Sequence, residues 1–275
     1  MERIRLIMSD IDGTIMPPGS KSVSARTVAA FHAAREAGIV IGPASGRGLR
    51  QIPAFFAGDD SCCLTCVATN GLEVYHEGEK ICERRPPRAA LDQLMDVLAE
   101  EPGAGIVAFD GTVPYLCCGD VGDLAAVMPG YAKACRPLGC LPDFDALKVN
   151  VFAPRDMPAT VELCERLNRS IEGIDFDVPM AGYLNIMPAG WNKGTALQFL
   201  CDYVGIPVEE AVVFGDSCLA ISRWMRAQGI ELHEAESREP IDHIGRMLAL
   251  LSWLASNRPE LVGEFLDQHL LPWAP

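Results

Sequence analysis

Ile4-Arg5-Leu6-Ile7-Met8-Ser9-Asp10-Ile11-Asp12-Gly13-Thr14 is the stretch that decides the fold. Its apolar run, Ile4 to Met8, gives way to turn residues, which reads as a buried strand ending in a loop. Two carboxylates, Asp10 and Asp12, stand two residues apart at the carboxyl end of that strand. In open α/β sheets this edge is where ligands bind. Like charges this close need a cation or a proton between them.

Working outward, Ser24 to Ala37 carries Val28, Phe31 and Ala34 at helical spacing, with Ser24 at its start and Gly38 past its end. Ile39 to Gly42 is a second strand, ending in Pro43-Ala44-Ser45-Gly46-Arg47. A short helix is expected over Leu49 to Phe56. Cys62 to Ala68 is read as a third strand, ending at Thr69-Asn70-Gly71. This alternation predicts a doubly wound parallel sheet.

The rhythm then changes. Residues 73–75 and 80–82 flank a polar turn as a hairpin, and Arg85-Pro86-Pro87-Arg88 reads as a linker. From there to Pro188 helices alternate with short strands, including one helix over Asp123 to Ala134, which predicts an inserted α+β unit. The first pattern resumes with a helix from Asn192-Lys193-Gly194 to Val204 and a strand over Ala211 to Phe214. Gly215-Asp216-Ser217 follows. Helices over residues 219–227, 241–254 and 259–270 and a strand at 230–232 complete the reading. The expected division is a core of residues 1–84 and 189–275 and a cap of residues 85–188.

The net charge of −14 over 275 residues argues against a nucleic-acid backbone or an anionic membrane as main partner. A small anion remains compatible, because a local cation outweighs the global field. No secretion signal or membrane span is apparent in this sequence, and eleven scattered cysteines read as reduced thiols in a cytoplasmic protein. Cys63-Leu64-Thr65-Cys66 lacks the second ligand pair of a zinc site. The five histidines share no ligand spacing.

Four loops thus carry Asp10 with Asp12, Ser45, Lys193 and Asp216. Phosphoryl transfer through an aspartyl intermediate uses a carboxylate nucleophile and a second carboxylic acid that serves the leaving oxygen and then water. It also uses a hydroxyl and a cation on the non-bridging oxygens, and Mg²⁺ to bring two anions together. In order and spacing these segments resemble the four motifs of the haloacid dehalogenase superfamily. Ala44-Ser45-Gly46-Arg47, Thr69-Asn70-Gly71, Ile186-Met187-Pro188 and the position of the insert are similar to the Cof-type sugar-phosphatase branch. The resemblance covers residues 4–230 and implies a Mg²⁺-dependent phosphatase acting on a small phosphorylated metabolite, as a monomer or homodimer.

Carried over by position, the resemblance implies that Asp10 is the nucleophile and a Mg²⁺ ligand. It makes Asp12 the acid/base, with its carbonyl on the metal, and Asp216 the third metal ligand. Ser45 and Lys193 hold the phosphoryl group, with Gly46, Arg47 and Asn70 beside them. Ser45 also reads as a helix N-cap, Arg47 as either a substrate or a structural residue, and Asn70 as an organiser of its loop. Asp12 favours phosphate esters over halides, since an alcohol leaving group needs a proton. After Asp216 the pattern departs: Leu219 and Ala220 stand where an amide and an acid are expected. Two alternatives stay open, a degenerate member that binds without turnover and a phosphomutase using the same Asp pair.

Overall fold

The structure is a computed structural model that describes residues 4–215 and 254–265. Strands β1 (Leu6–Ser9), β2 (Val40–Pro43) and β12 (Ala211–Phe214) form a parallel sheet in the order β12-β1-β2. Ser9 stands beside Phe214 on one side and Pro43 on the other. Leu6 and Met8 pack with Ala196 and Leu200 of helix α6 (Lys193–Val204). Ile7 faces the other way, onto the cluster of Phe31, Ile41 and Phe56. Burial on both faces is why this central strand is apolar almost throughout.

Helix α1 (Ala25–Glu36) begins where Ser24 accepts the Thr27 N–H, as expected. Beyond β2 the sheet continues through a single parallel bridge, Ala44 to Val67, into β3 (Cys66–Ala68). Antiparallel β4 (Glu73–His76) and β5 (Glu79–Glu83) follow. Gly42 permits this junction, because a Cβ there would lie 1.8 Å from the Thr65 carbonyl oxygen.

The third strand is shorter than expected. Asp60–Cys63 is a 3-10 turn, because the Asp59 carboxylate accepts the Ser61 N–H at 3.0 Å and caps it. The helix expected over Leu49 to Phe56 is likewise two 3-10 turns, Leu49–Gln51 and Pro53–Phe56.

The insert is a six-stranded sheet in the order β10-β11-β9-β6-β7-β8. It comprises β6 (Gly105–Asp110), β7 (Val113–Cys118), β8 (Arg136–Pro137), β9 (Lys148–Phe152), β10 (Ile174–Met180) and β11 (Tyr183–Pro188). All neighbours are antiparallel except β7 and β8. Helices α2 (Arg88–Ala99) and α5 (Met157–Ser170) cover one face, and Ile106 and Ala108 point into that core. Val107 and Phe109 point into a second core with Leu124 and Tyr131. These belong to α3 (Val121–Val127) and α4 (Pro129–Ala134), which replace the single helix expected over Asp123 to Ala134. Pro129 lacks an N–H and drives Met128 out of helical geometry, to φ −131° and ψ 74°.

A 3-10 turn at Pro259–Leu261 and helix α7 (Val262–Phe265) are the described part of the last expected helix. The expected elements over 219–227 and 230–232, and nearly all of 241–254, lie outside the described residues. No helix among the described residues is long and apolar enough to cross a membrane.

Candidate active site

Asp10 follows β1 directly, and its N–H donates to the Phe214 carbonyl at 2.8 Å. The chain then folds back on itself: Gly13 N–H donates to Met16 O at 3.0 Å and Met16 N–H to Ile11 O at 2.9 Å. Gly13 takes φ +79°, which suits a residue without Cβ. Asp10 and Asp12 therefore leave the sheet edge on one tight loop.

Lys193 reaches this loop from 183 residues away. Its Nζ donates to Asp10 Oδ1 at 2.7 Å. Asn192 caps α6 by accepting the Gly194 and Thr195 N–H groups, and Thr195 completes a reciprocal capping box. The cap fixes the first helical residue, and so the base of the lysine side chain. The Asp10 carboxylate is largely buried, which strengthens a charge-assisted bond of this kind. Asp10 Oδ2 accepts no hydrogen bond among the described residues.

Ser45 is buried at the end of β2, with its N–H on the Val67 carbonyl at 2.8 Å. It does not cap a helix, since Gly48 is the residue before the next turn. The Ser45 hydroxyl accepts the Arg47 N–H at 3.3 Å. Arg47 grips Asp12 bidentately, Nη2 to Oδ1 at 2.8 Å and Nε to Oδ2 at 3.1 Å. Its guanidinium also lies 4.4 Å from the centre of the Phe55 ring.

The turn Thr69-Asn70-Gly71 ties these loops together. Asn70, at φ +58°, donates its N–H to Ser45 O at 3.0 Å, and a Cβ on Gly46 would lie 2.8 Å from its Oδ1. Asn70 thus orders the Ser45 loop. Gly71 carries φ +97°, and a Cβ there would come within 2.9 Å of Ala196 Cβ and of the Asn192 carbonyl oxygen. Trp191 Nε1 donates to Gly71 O at 2.8 Å. Behind the turn, buried Glu73 accepts from Thr69 and Tyr75 hydroxyls and pairs with Lys80 at 2.7 Å. Burial and this carboxylate push the Tyr75 hydroxyl up to about 12.

The structure thus brings together Asp10, Asp12, Ser45, Gly46, Arg47, Asn70 and Lys193. Asp216 lies outside the described residues, as do Ser217, Leu219 and Ala220. Trp191, Phe55 and Thr69 were not legible as site residues, because their roles depend on contacts distant in sequence. Cys63 and Cys66 are buried rather than ligating, and burial raises both thiols, Cys63 to about 12. His32 pairs with Asp59 at 2.8 Å, close to buried Cys62.

The candidate metal-binding oxygens at Asp10 are its Oδ2, which accepts no hydrogen bond among the described residues, and main-chain carbonyls of its loop. Hard oxygens of this kind, few in number, are what Mg²⁺ takes alongside water and phosphate.

Residues 7–218 match the profile of the haloacid dehalogenase-like hydrolases. A second profile, the nitrate reductase delta subunit, matches residues 190–275. The chain is 48% identical over 67 residues to the Tat proofreading chaperone DmsD of Salmonella typhi, 24% of this chain and 32% of that protein. It therefore spans about a third of the length of that chaperone. It is 26% identical over 222 residues to a phosphoglycolate phosphatase of Pyrobaculum aerophilum, 78% of this chain and 75% of that protein. Among solved structures, a HAD-superfamily phosphatase of Bacteroides thetaiotaomicron superposes with a TM-score of 0.65 at 18% identity, covering 81% of each chain.

Proposed function

The chain belongs to the haloacid dehalogenase-like hydrolases, in their Cof-type branch, and on that footing we propose that it hydrolyses a small phosphate monoester through Asp10. The observation that carries this reading is the 2.7 Å bond from Lys193 to Asp10 on the loop that also bears Asp12. Phosphatases stand among its relatives. We take residues 85–188 as the cap and residues 1–84 with 189–218 as the hydrolase core, since the hydrolase profile ends at residue 218. The reaction belongs in the cytoplasm, on a sugar phosphate or related metabolite, with the chain a monomer or homodimer. At a net charge of −14 neither nucleic acid nor an anionic membrane is its partner.

An Asp10 carboxylate oxygen attacks phosphorus, and the P–O bond to the alcohol breaks. Lys193 offsets the charge brought together by two anions. Ser45 donates to a non-bridging oxygen, and Gly46 and Asn70 keep its loop in place. Asp12 delivers a proton to the departing oxygen and then takes one from the water that attacks the aspartyl phosphate. Before it can do so, the Arg47 bonds to Asp12 have to open, and the substrate phosphoryl group is the anion that competes for that guanidinium. Asp10, the Asp12 carbonyl and Asp216 would hold Mg²⁺, which when bound supplies positive charge that draws carboxylate and phosphate together.

Phosphate release from a panel of sugar and metabolite phosphates, with and without Mg²⁺, tests this. Release that needs Mg²⁺ and vanishes in Asp10→Asn supports it. A folded protein that releases none from any ester points instead to binding without turnover. Recovery of an isomeric sugar phosphate rather than free phosphate points to a mutase.

The 48% identity to a proofreading chaperone favours a second reading for the C-terminal part. Residues 190–275 match the nitrate reductase delta subunit profile, and we read the part beyond 218 as chaperone-like rather than hydrolase-like. Titrating the full chain with a twin-arginine leader peptide tests this. Binding no tighter than that of a Lys-Lys control peptide rejects it.

A further inference from the structure

The insert holds a lysine whose charge no acid among the described residues answers. Lys148 opens β9 directly opposite Phe109. Its ammonium lies 5.2 Å from the centre of the Phe109 ring and 6.0 Å from that of Tyr131. It makes no hydrogen bond or ion pair among the described residues. Burial, followed by repulsion from the Arg47 guanidinium, lowers its amine to about 8. Arg47 opposes the effect of burial on the Tyr131 hydroxyl too, so the Asp12-bound guanidinium lies within electrostatic reach of this corner of the insert.

A cavity of about 430 Å³ opens between Lys148, Phe109 and Tyr131 on the insert and the segment Gly48 to Gln51 on the core. It starts at Gly48, next to Arg47, and at Thr69, next to Asn70, and Arg50 stands on its wall. Of the two acids on that wall, Glu73 is already held by Thr69, Tyr75 and Lys80. Asp110 is exposed. A half-buried ammonium whose near neighbours are ring faces is only partly solvated, and the cost of this falls when an anion arrives. With Lys80 held by Glu73 and Glu83, Lys148 and Arg50 are the cations left on this cavity, against the overall field of a chain of net charge −14.

Resting on the phosphatase reading, we propose that Lys148 is the specificity residue of the insert. It receives a second anionic group of the substrate, a carboxylate or a further phosphate, while the transferring phosphoryl group sits at Asp10, Ser45 and Lys193. The two rings, 5.0 Å apart, stand together on one side of the ammonium and leave its other side to the anion. The substrate class is therefore a short phosphate monoester that carries a second negative group.

Phosphate release from phosphoglycolate, ethanediol bisphosphate and ethyl phosphate tests this in the wild type, Lys148→Met and Lys148→Arg. The wild type is expected to prefer the two esters with a second anion, and the better of the two identifies that anion as carboxylate or phosphate. Lys148→Met is expected to cut this preference about 10- to 100-fold in kcat/KM, chiefly through KM. Lys148→Arg, which keeps the charge, is expected to keep the preference within about threefold. A wild type without preference, or an equal loss on all three esters, overturns the proposal. If no ester is hydrolysed at all, the phosphatase reading falls and calorimetric titration decides this one. Phosphoglycolate binding weakened about tenfold more than ethyl phosphate binding by Lys148→Met supports it, and equal weakening overturns it.

Discussion

Gly71→Ala is the substitution that probes how the site is held together. The new methyl would sit 2.9 Å from both Ala196 Cβ and the Asn192 carbonyl oxygen. Carbon contacts settle at about 3.5–4.0 Å, so the first turn of α6 has to retreat by about 0.6–1.1 Å. Lys193 is the next residue after Asn192, and its bond to Asp10 is 2.7 Å long. A displacement of this size in a positioning element costs about 10²-fold in rate. The φ of +97° adds left-handed strain of roughly 1–2 kcal/mol, and crowding a packed site adds roughly 1–3 kcal/mol. For a domain of this size the sum lowers Tm by roughly 4–20 °C. Gly38→Ala is the control, since Gly38 has φ +76° but nothing within 4 Å of a Cβ. It carries the strain of roughly 1–2 kcal/mol without the collision, and it lies far from Asp10 in the α1 terminus. Tm and phosphate release should be measured on both. If Gly71→Ala loses no more than Gly38→Ala in either, the turn does not position α6 and the reasoning fails.

Asp10→Asn should retain the Lys193 contact and the fold while abolishing phosphate release; full activity would sink the covalent step. Asp12→Ala should slow alkyl esters at least about tenfold more than aryl esters, whose leaving oxygen needs no proton, and an equal loss would remove its acid role. Because the Lys148 amine lies at about 8, it is charged below that pH and neutral above it. The ratio of kcat/KM for phosphoglycolate to that for ethyl phosphate should therefore fall as pH rises through about 8, and a flat ratio from pH 6 to 10 would count against Lys148. Glu101 is raised by its burial, but hydrogen bonds from Arg155 and Arg166 outweigh this and lower it below the usual carboxylate range. Its contribution is complete above its unfolded pKa and fades as pH falls through the folded one. Glu101→Gln should consequently lower Tm at pH 7 and lower it less below pH about 4, as thermal scans would register.

The parts of this site that could be read from sequence are those whose cause is local. Asp10, Asp12 and Gly13 follow a strand whose apolar run is continuous, and Asn192 with Thr195 caps the helix it precedes. The 3-10 turn at Asp60–Cys63 was hidden because Cys62, Cys63 and Cys66 look like strand residues until Asp59 is seen capping Ser61. Arg47 was ambiguous for a different reason. Its partner Asp12 is 35 residues away, and either oxygen pair, carboxylate or phosphate, fits its fork. Lys148 gave almost no signal, since a lysine at a strand start is ordinarily solvated. Only the return of α4 over β6 brings the Tyr131 ring edge-on to Phe109, so that both stand together on one side of its ammonium.

The departure at Leu219 and Ala220 takes on another meaning beside the comparisons. Taken alone, an apolar pair where an amide and an acid are expected suggests a decayed metal site. Both profiles cover residues 190–218, but only the nitrate reductase delta subunit profile continues to 275. Within the shared stretch, geometry sides with the hydrolase: β12 pairs with β1 from Ala211 to Phe214, and Lys193 reaches Asp10. The hydrolase pattern thus holds up to the strand that delivers the chain beside Asp10, and another family's pattern takes over just after it. On that argument we propose that Leu219 and Ala220 follow the second pattern and are not lost ligands of the first. Leu219→Asn with Ala220→Asp should then leave the Mg²⁺ dependence of phosphate release unchanged. A tightening of Mg²⁺ by about tenfold or more, the scale at which partners of metal ligands act, would return these positions to the hydrolase site.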